Sequence, residues 1–200
     1  MSKGKTLSEL KEKEREARRQ LILSAATELF SSQPISKVGI RDIAKKAGIS
    51  PALIYRHFND RDELFIEAFF MQSEKIASAF ERLIQEEEQR STQKVGELYV
   101  TFLLENDEFF QMMTHFMLDH VIREEAMEPF DKSMRRLLAA FDASFEGMEI
   151  KEDVRLHTHA FFSSLNGVLI TFRNYPGRSE EEVRKHIFRL TEIICSKFRT

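Results

Sequence analysis

Breakers are scarce: the 200-residue chain has only 7 glycines and 4 prolines, so it has few places to turn and must run mostly in long regular elements. Their period is helical. Leu21, Ile22, Ala25, Ala26, Leu29 and Phe30 recur as one apolar stripe from Arg18 onward. No segment alternates with period two for long enough to make a strand. The expectation is an all-α fold of about nine helices. Residues 3–19 carry mixed charge and no wide apolar face, which predicts a frayed arm or a helical extension.

The most informative quartet is Gly48-Ile49-Ser50-Pro51. Gly48 can take the left-handed conformation that closes a helix over Ile40 to about Ala47. Ser50 is a good N-cap, and Pro51 fits the first helical position, where its missing N–H costs nothing. One helix closes and another, Pro51 to about Phe58, opens within about three residues, the signature of a helix-turn-helix. Leu53 and Ile54 are expected inward. Asp60 and Glu63 read as a capping box that opens a helix of about 28 residues, reaching the Glu86-Glu87-Glu88 run. Five further helices are expected over 92–104, 107–120, 128–146, 152–174 and 179–198, the last capped by Ser179 and Glu182.

Charge and apolar bulk are segregated. Residues 1–60 hold 12 Lys/Arg against 7 Asp/Glu, whereas residues 61–200 hold 18 against 26. A basic end on an acidic body suits a nucleic-acid contact confined to that end, or is a chance segregation of solvated charge. Sixteen of the 18 Phe and seven of the 8 Met lie beyond residue 60. The single cysteine, Cys195, rules out an internal disulfide and suits a reducing cytoplasm. No apolar run approaches the ~18 residues of a membrane span, so no membrane partner is expected. Glycine-rich phosphate loops are absent. No nucleophile–base pair or HExxH points to an enzyme, and no catalytic residue or cofactor is expected. His157 and His159 differ by two and His115 and His120 by five, so neither pair shares a helix face suited to a metal.

The ordered run Ile40-Arg41-Asp42-Ile43-Ala44, Ala47-Gly48-Ile49-Ser50, Leu53-Ile54-Tyr55-Arg56-His57-Phe58 and Asp62-Glu63-Leu64-Phe65 strongly resembles the DNA-binding region of the TetR family of transcriptional regulators. The resemblance covers about a third of the chain, residues 18–70. It implies three parts: a polar arm over 1–17, a DNA-binding domain over 18–65, and a ligand-binding and dimerisation domain over 66–200. Gln33-Pro34-Ile35 replaces the usual glycine and aromatic, Gly39-Ile40 stands where Ser or Thr is common, and Pro51-Ala52 replaces a frequent Lys-Gly.

Ser50, Pro51 and Ala52 would offer a helix N-terminus to phosphate. Tyr55 lies one turn on, within reach of a phosphate or a thymine methyl. The resemblance adds backbone contacts from Arg41, His57 and Arg61, and Arg56 is a candidate for a base edge or a phosphate.

In the body, a soft aromatic inventory suggests a hydrophobic small-molecule effector or a well-packed core: Phe102, Phe109, Phe110, Met113, Phe116 and Met117, then Met134, Phe141, Phe161 and Phe162, with Asn166 as an orienting polar group. Phe161, Leu165, Val168, Leu169 and Phe172 on one helix, with Ile187, Leu190 and Ile194 on the next, are the expected homodimer surface, or intramolecular core. The function implied is a ligand-responsive regulator, a repressor released from a palindromic operator on double-stranded DNA. The alternative is a helical ligand-binding or adaptor protein that reads no operator.

Overall fold

The computed structural model describes residues 6–33, 35–85, 91–119, 124–145 and 153–198. Among them lie nine α-helices, one short 3₁₀ helix (Ile35–Lys37) and no strand. They are α1 (Leu7–Ser32), α2 (Ile40–Ala47), α3 (Pro51–Ile54), α4 (Arg61–Gln85), α5 (Thr92–Glu105), α6 (Asp107–Asp119), α7 (Glu124–Ala143), α8 (Val154–Phe172) and α9 (Glu180–Lys197). The Glu86–Glu88 run and His120 lie outside the described residues.

The first helix takes the extended form of the two expected for its polar start. A reciprocal capping box begins it: Glu9 N–H donates to Thr6 Oγ1 at 3.3 Å, and Thr6 N–H to Glu9 Oε2 at 2.9 Å. Its core stripe corrects the sequence reading. Ile22, Ala25, Ala26 and Phe30 are buried as expected, but Leu23 and Thr27 join them and Leu21 faces out, half exposed. Successive residues lie about 100° apart on a helix, so moving the stripe by one position turns it by less than a third of a turn.

α1, α2 and α3 bury Phe30, Val38, Ile43, Ala44, Ile54 and Phe58 with Leu64 of α4 into the core of the N-terminal head. Each large apolar side chain buried there contributes about 1.5–3 kcal/mol. The second helix of the motif is shorter than expected and ends at Ile54. Bonds from Arg56 N–H to Leu53 O (3.2 Å) and His57 N–H to Ile54 O (2.8 Å) tighten the chain into three-residue turns. That tightening swings Phe58 inward to 2% exposure, and Leu53 is left half-buried rather than buried.

α4 leaves the head and runs 25 residues, about 37 Å, into the body, where it packs on α7. Asp60 caps it, its Oδ1 accepting from the N–H groups of Asp62 and Glu63, both at 2.9 Å. Glu63 reaches back one residue further than expected, to Asn59 N–H at 2.6 Å. α8 and α9 pack on each other, and α5 packs on α9. The close approach lies at Gly96 of α5, where an added Cβ would stand 2.8 Å from Cys195 Sγ and 3.2 Å from Phe161 Cζ. The Ser179–Glu182 capping box forms as expected.

Candidate nucleic-acid interface

Gly48 takes φ +68°, the left-handed conformation a non-glycine residue resists, and its N–H returns to Lys45 O at 3.3 Å. Ser50 is extended, and its Oγ accepts from Leu53 N–H at 3.3 Å. Pro51 and Ala52 are exposed at the start of α3, and Tyr55, 57% exposed, stands at its end. Arg41 and Arg56 are exposed, and His57 and Arg61 are half-buried. All eight residues expected at DNA therefore lie on the surface of the head. Arg61 is paired along the chain with Asp62 at 3.2 Å. Gly39 offers no side chain to cap α2, so Asp42 Oδ2 takes its N–H at 3.0 Å.

The head is tied down by ion pairs. Lys46 of α2 meets Glu28 of α1 at 2.5 Å. Arg19 of α1 pairs with Glu67 of α4, and its guanidinium stands 5.2 Å from the centre of the Phe58 ring. One side chain thus binds the first helix, the end of the reading motif and the connecting helix. Burial holds the Glu67 carboxyl above the usual carboxylate value, opposed by the Arg19 charge.

His57 forms part of a groove of about 300 Å³ with Leu53, Arg56 and the first turns of α1. Burial, and next Arg15, Arg19 and Arg18, hold its imidazole below the usual 6.5, against Glu16. Sequence reading overlooked the α1 residues of this groove because the polar start of α1 has no apolar stripe to orient it.

The expected effector residues lie together. Phe141 sits among Phe80, Phe161 and Phe162 with centroid separations of 5.5, 5.7 and 5.5 Å. Phe109 stacks on Phe69 at 5.3 Å and meets Phe102 edge-on at 5.6 Å. Phe110 and Met113 are buried, and Met117 and Met134 half-buried; the Phe116 side chain lies outside what is described.

The hub is Tyr99, absent from the expected set. Its hydroxyl donates to Asn166 Oδ1 at 2.9 Å and lies 3.3 Å from Met113 Sδ. Burial pushes its pKa upward, so it stays a neutral donor. Asn166 Nδ2 donates to Phe162 O at 2.9 Å, so both ends of the amide are occupied within the chain. Arg173 of the turn after α8 donates to Leu103 O and Leu104 O at the end of α5.

The expected dimer surface divides. Phe161, Leu165, Leu169 and Ile187 are fully buried in the chain's own core and have nothing to give a partner, which corrects their assignment. Val168 is nearly buried, and Phe172, Leu190 and Ile194 are half-buried. Phe172 and Leu190 line an open groove of about 680 Å³ that also includes Tyr175 and Val183. The outward apolar side chains include instead Val154, Leu156 and Ile170 of α8 and Ile193 of α9. Among the described residues no group of three His, Cys, Asp or Glu is placed to hold a metal ion, and no helix is long and apolar enough to cross a membrane.

A short capped helix presented on the surface behind a tight turn, on a head joined by one long helix to a helical body, defines a helix-turn-helix DNA-binding regulator. Residues 22–68 match the family model described as bacterial regulatory proteins, tetR family. It is 27% identical over 179 residues to the nucleoid occlusion factor SlmA of Marinobacter nauticus, covering 87% of this chain and 88% of that one. It is 41% identical over 58 residues to the regulator AcrR of Shigella flexneri, 29% of this chain and 27% of that one. In structure it is similar to the regulator FadR of Bacillus subtilis, solved with stearoyl-CoA: TM-score 0.68, 19% identity, covering 88% and 97% of the two chains. The regulator PfmR of Thermus thermophilus has the same fold, with TM-score 0.65, 22% identity and 87% and 93% covered.

Proposed function

We propose that this chain is a cytoplasmic homodimeric repressor that holds a palindromic operator and lets it go when a hydrophobic small molecule enters the body. Residues 18–65 form the reading head and residues 66–200 the sensing and pairing body. The carrying observation is α4: one unbroken helix has Leu64 in the core of the head and Phe80 in the aromatic cluster around Tyr99. A change of packing in the cluster has a direct mechanical route to the reading element.

Ser50, Pro51 and Ala52 present the N-terminus of α3 to a phosphate; Tyr55 and Arg56 reach into the major groove; Arg41, His57 and Arg61 hold the backbone. One such helix reads few base pairs, and a two-fold pair separated by ~34–36 Å reads enough for specificity. The pairing surface is built on the outward positions Leu156, Ser163, Gly167 and Ile170 of α8 with Ile193 of α9, together with Phe172, Leu190 and Ile194. An added Cβ at Gly167 meets nothing within 4 Å, so this face is open to a second helix.

The effector is apolar and flexible enough to part aromatic rings, as an acyl chain is. The FadR likeness, with its stearoyl-CoA, supports that class. Phe102, Phe109, Phe110, Met113, Met117, Met134, Phe141 and Phe162 would line its path. Breaking the Tyr99–Asn166 hydrogen bond would let Asn166 orient its polar end. Such a ligand releases DNA only by binding the released form better; equal affinity for both forms changes nothing.

The test begins with selection of a duplex from a random pool by the full-length protein. The recovered sequence should be two-fold symmetric. Acyl compounds of graded chain length are then titrated into the complex, followed by fluorescence anisotropy. Release that grows with chain length is the expected result. Ligands that bind the protein and leave operator affinity unchanged would remove the effector half of the proposal.

A further inference from the structure

α1 extends well beyond the point where it is needed for packing. Every residue from Leu7 to Arg18 is exposed, a stretch of about 18 Å that contributes nothing to the core of the head. Helices that bury so little are marginal unless supported locally. This one is supported by the Thr6–Glu9 capping box, an Arg18–Glu14 pair at 2.5 Å, and a Gln20–Glu16 hydrogen bond at 2.8 Å.

Its charges are sorted by face. Lys11, Arg15 and Arg18 follow at spacings of four and three, which puts them on one side of the helix. That side lines an open groove of about 300 Å³ together with Leu53, Arg56 and His57. Glu14 is the one carboxylate among the residues lining it. Four cations line the groove against Glu14, which pairs with Arg18, and Glu12 stands 3.9 Å from Arg15 outside the lining, so the groove keeps a net positive potential. Burial first, and then the charges of Arg15, Arg19 and Arg18, depress the His57 imidazole, so two of the groove's own guanidinium groups are felt there. The groove is also continuous with the reading element, because Leu53 and Arg56 belong to both.

We propose that the exposed start of α1 is a second grip on DNA, with Lys11, Arg15 and Arg18 holding backbone phosphates beside the segment that α3 reads. This rests on the operator-binding reading above and adds a contact surface to it. The occupant is the phosphate backbone of a duplex, chosen by charge complementarity and by continuity with the reading element. These contacts carry no base information, so they raise affinity for operator and non-operator duplex alike.

The experiment compares full-length wild type, K11Q/R15Q and E14Q by fluorescence anisotropy on two duplexes of equal length: one recovered by selection with wild type, and one of scrambled sequence. Salt is varied between about 50 and 200 mM, the range over which phosphate contacts are most visible. Each lost phosphate contact should flatten the slope of log affinity against log salt by about 0.9, so K11Q/R15Q, which removes four contacts from a dimer, should be shallower by about 3.6 on both duplexes. The ratio of operator to scrambled affinity should stay as in wild type. E14Q should bind both duplexes more tightly, since it removes the groove's carboxylate. Thermal melting checks that the variants fold.

A slope unchanged in K11Q/R15Q overturns the second grip and leaves operator reading intact. The second grip also fails if E14Q and K11Q/R15Q weaken binding together, because that is the mark of mere helix support. If wild type selects no duplex at all, the DNA reading itself fails and this inference with it.

Discussion

Tyr55 is more than half exposed and lies outside the buried core of the head. Tyr55→Ala should leave the melting temperature within about 2 °C of wild type while weakening operator binding about tenfold or more, read by anisotropy. His57 makes a prediction of opposite signs for free and bound protein. Its native imidazole lies below the unfolded value, so the folded chain binds fewer protons than the unfolded one. Its contribution to stability is therefore full above pH ~6.5 and is lost as pH falls through the native value. A phosphate beside it would raise that value again, so operator affinity should rise between pH ~8 and ~6. Replacing His57 with Asn should flatten both trends, measured by thermal melts and anisotropy at matched ionic strength. The exposed position of Tyr55 was legible in sequence because the quartet around Gly48 fixes where the next side chains emerge, whereas His57 entered by resemblance. Lys11, Arg15 and Arg18 were not legible, because cations without an apolar stripe give no cue to which neighbour they face.

The tight turn depends on two residues that act differently. At Gly48 an added Cβ meets nothing within 4 Å, so Gly48→Ala should cost only the backbone penalty of a left-handed residue, about 1–2 kcal/mol. Ser50→Ala should cost about 1 kcal/mol by leaving Leu53 N–H without its side-chain acceptor. Denaturant titration of the two variants distinguishes them from Ala52→Ser, which is exposed and should be near neutral. Helix boundaries followed from caps: Ser179 with Glu182, and Asp60, both mark real starts. The reading helix ended early for a reason that periodicity cannot show. Phe58 had to be delivered to a core assembled from α1, α2 and α4, and three-residue turns are how the backbone delivers it.

For the whole molecule, burial separates pairing from folding on the same helix. Leu165 is fully buried and Ile170, five residues on, is 47% exposed. Ile170→Glu should yield a folded monomer by light scattering, with operator affinity down about a hundredfold or more, since a lone head reads only half a site. Leu165→Glu should instead unfold the body, because it buries an unpaired charge. An apolar residue at helical spacing reads the same in sequence whether it meets its own chain or another. That ambiguity is why half of the expected pairing residues proved internal. The Tyr99–Asn166 hub was equally hidden, because it joins α5 to α8 across 67 residues of chain. Finally, Gln111 of α6 donates to Ser31 O at 3.1 Å, fastening the body to the far end of the helix that begins at Leu7. A continuous rod clamped at its tail swings as a whole. The early turns of α1 and the recognition turn would therefore leave the duplex in one motion, and dissociation should follow a single exponential with no half-detached species.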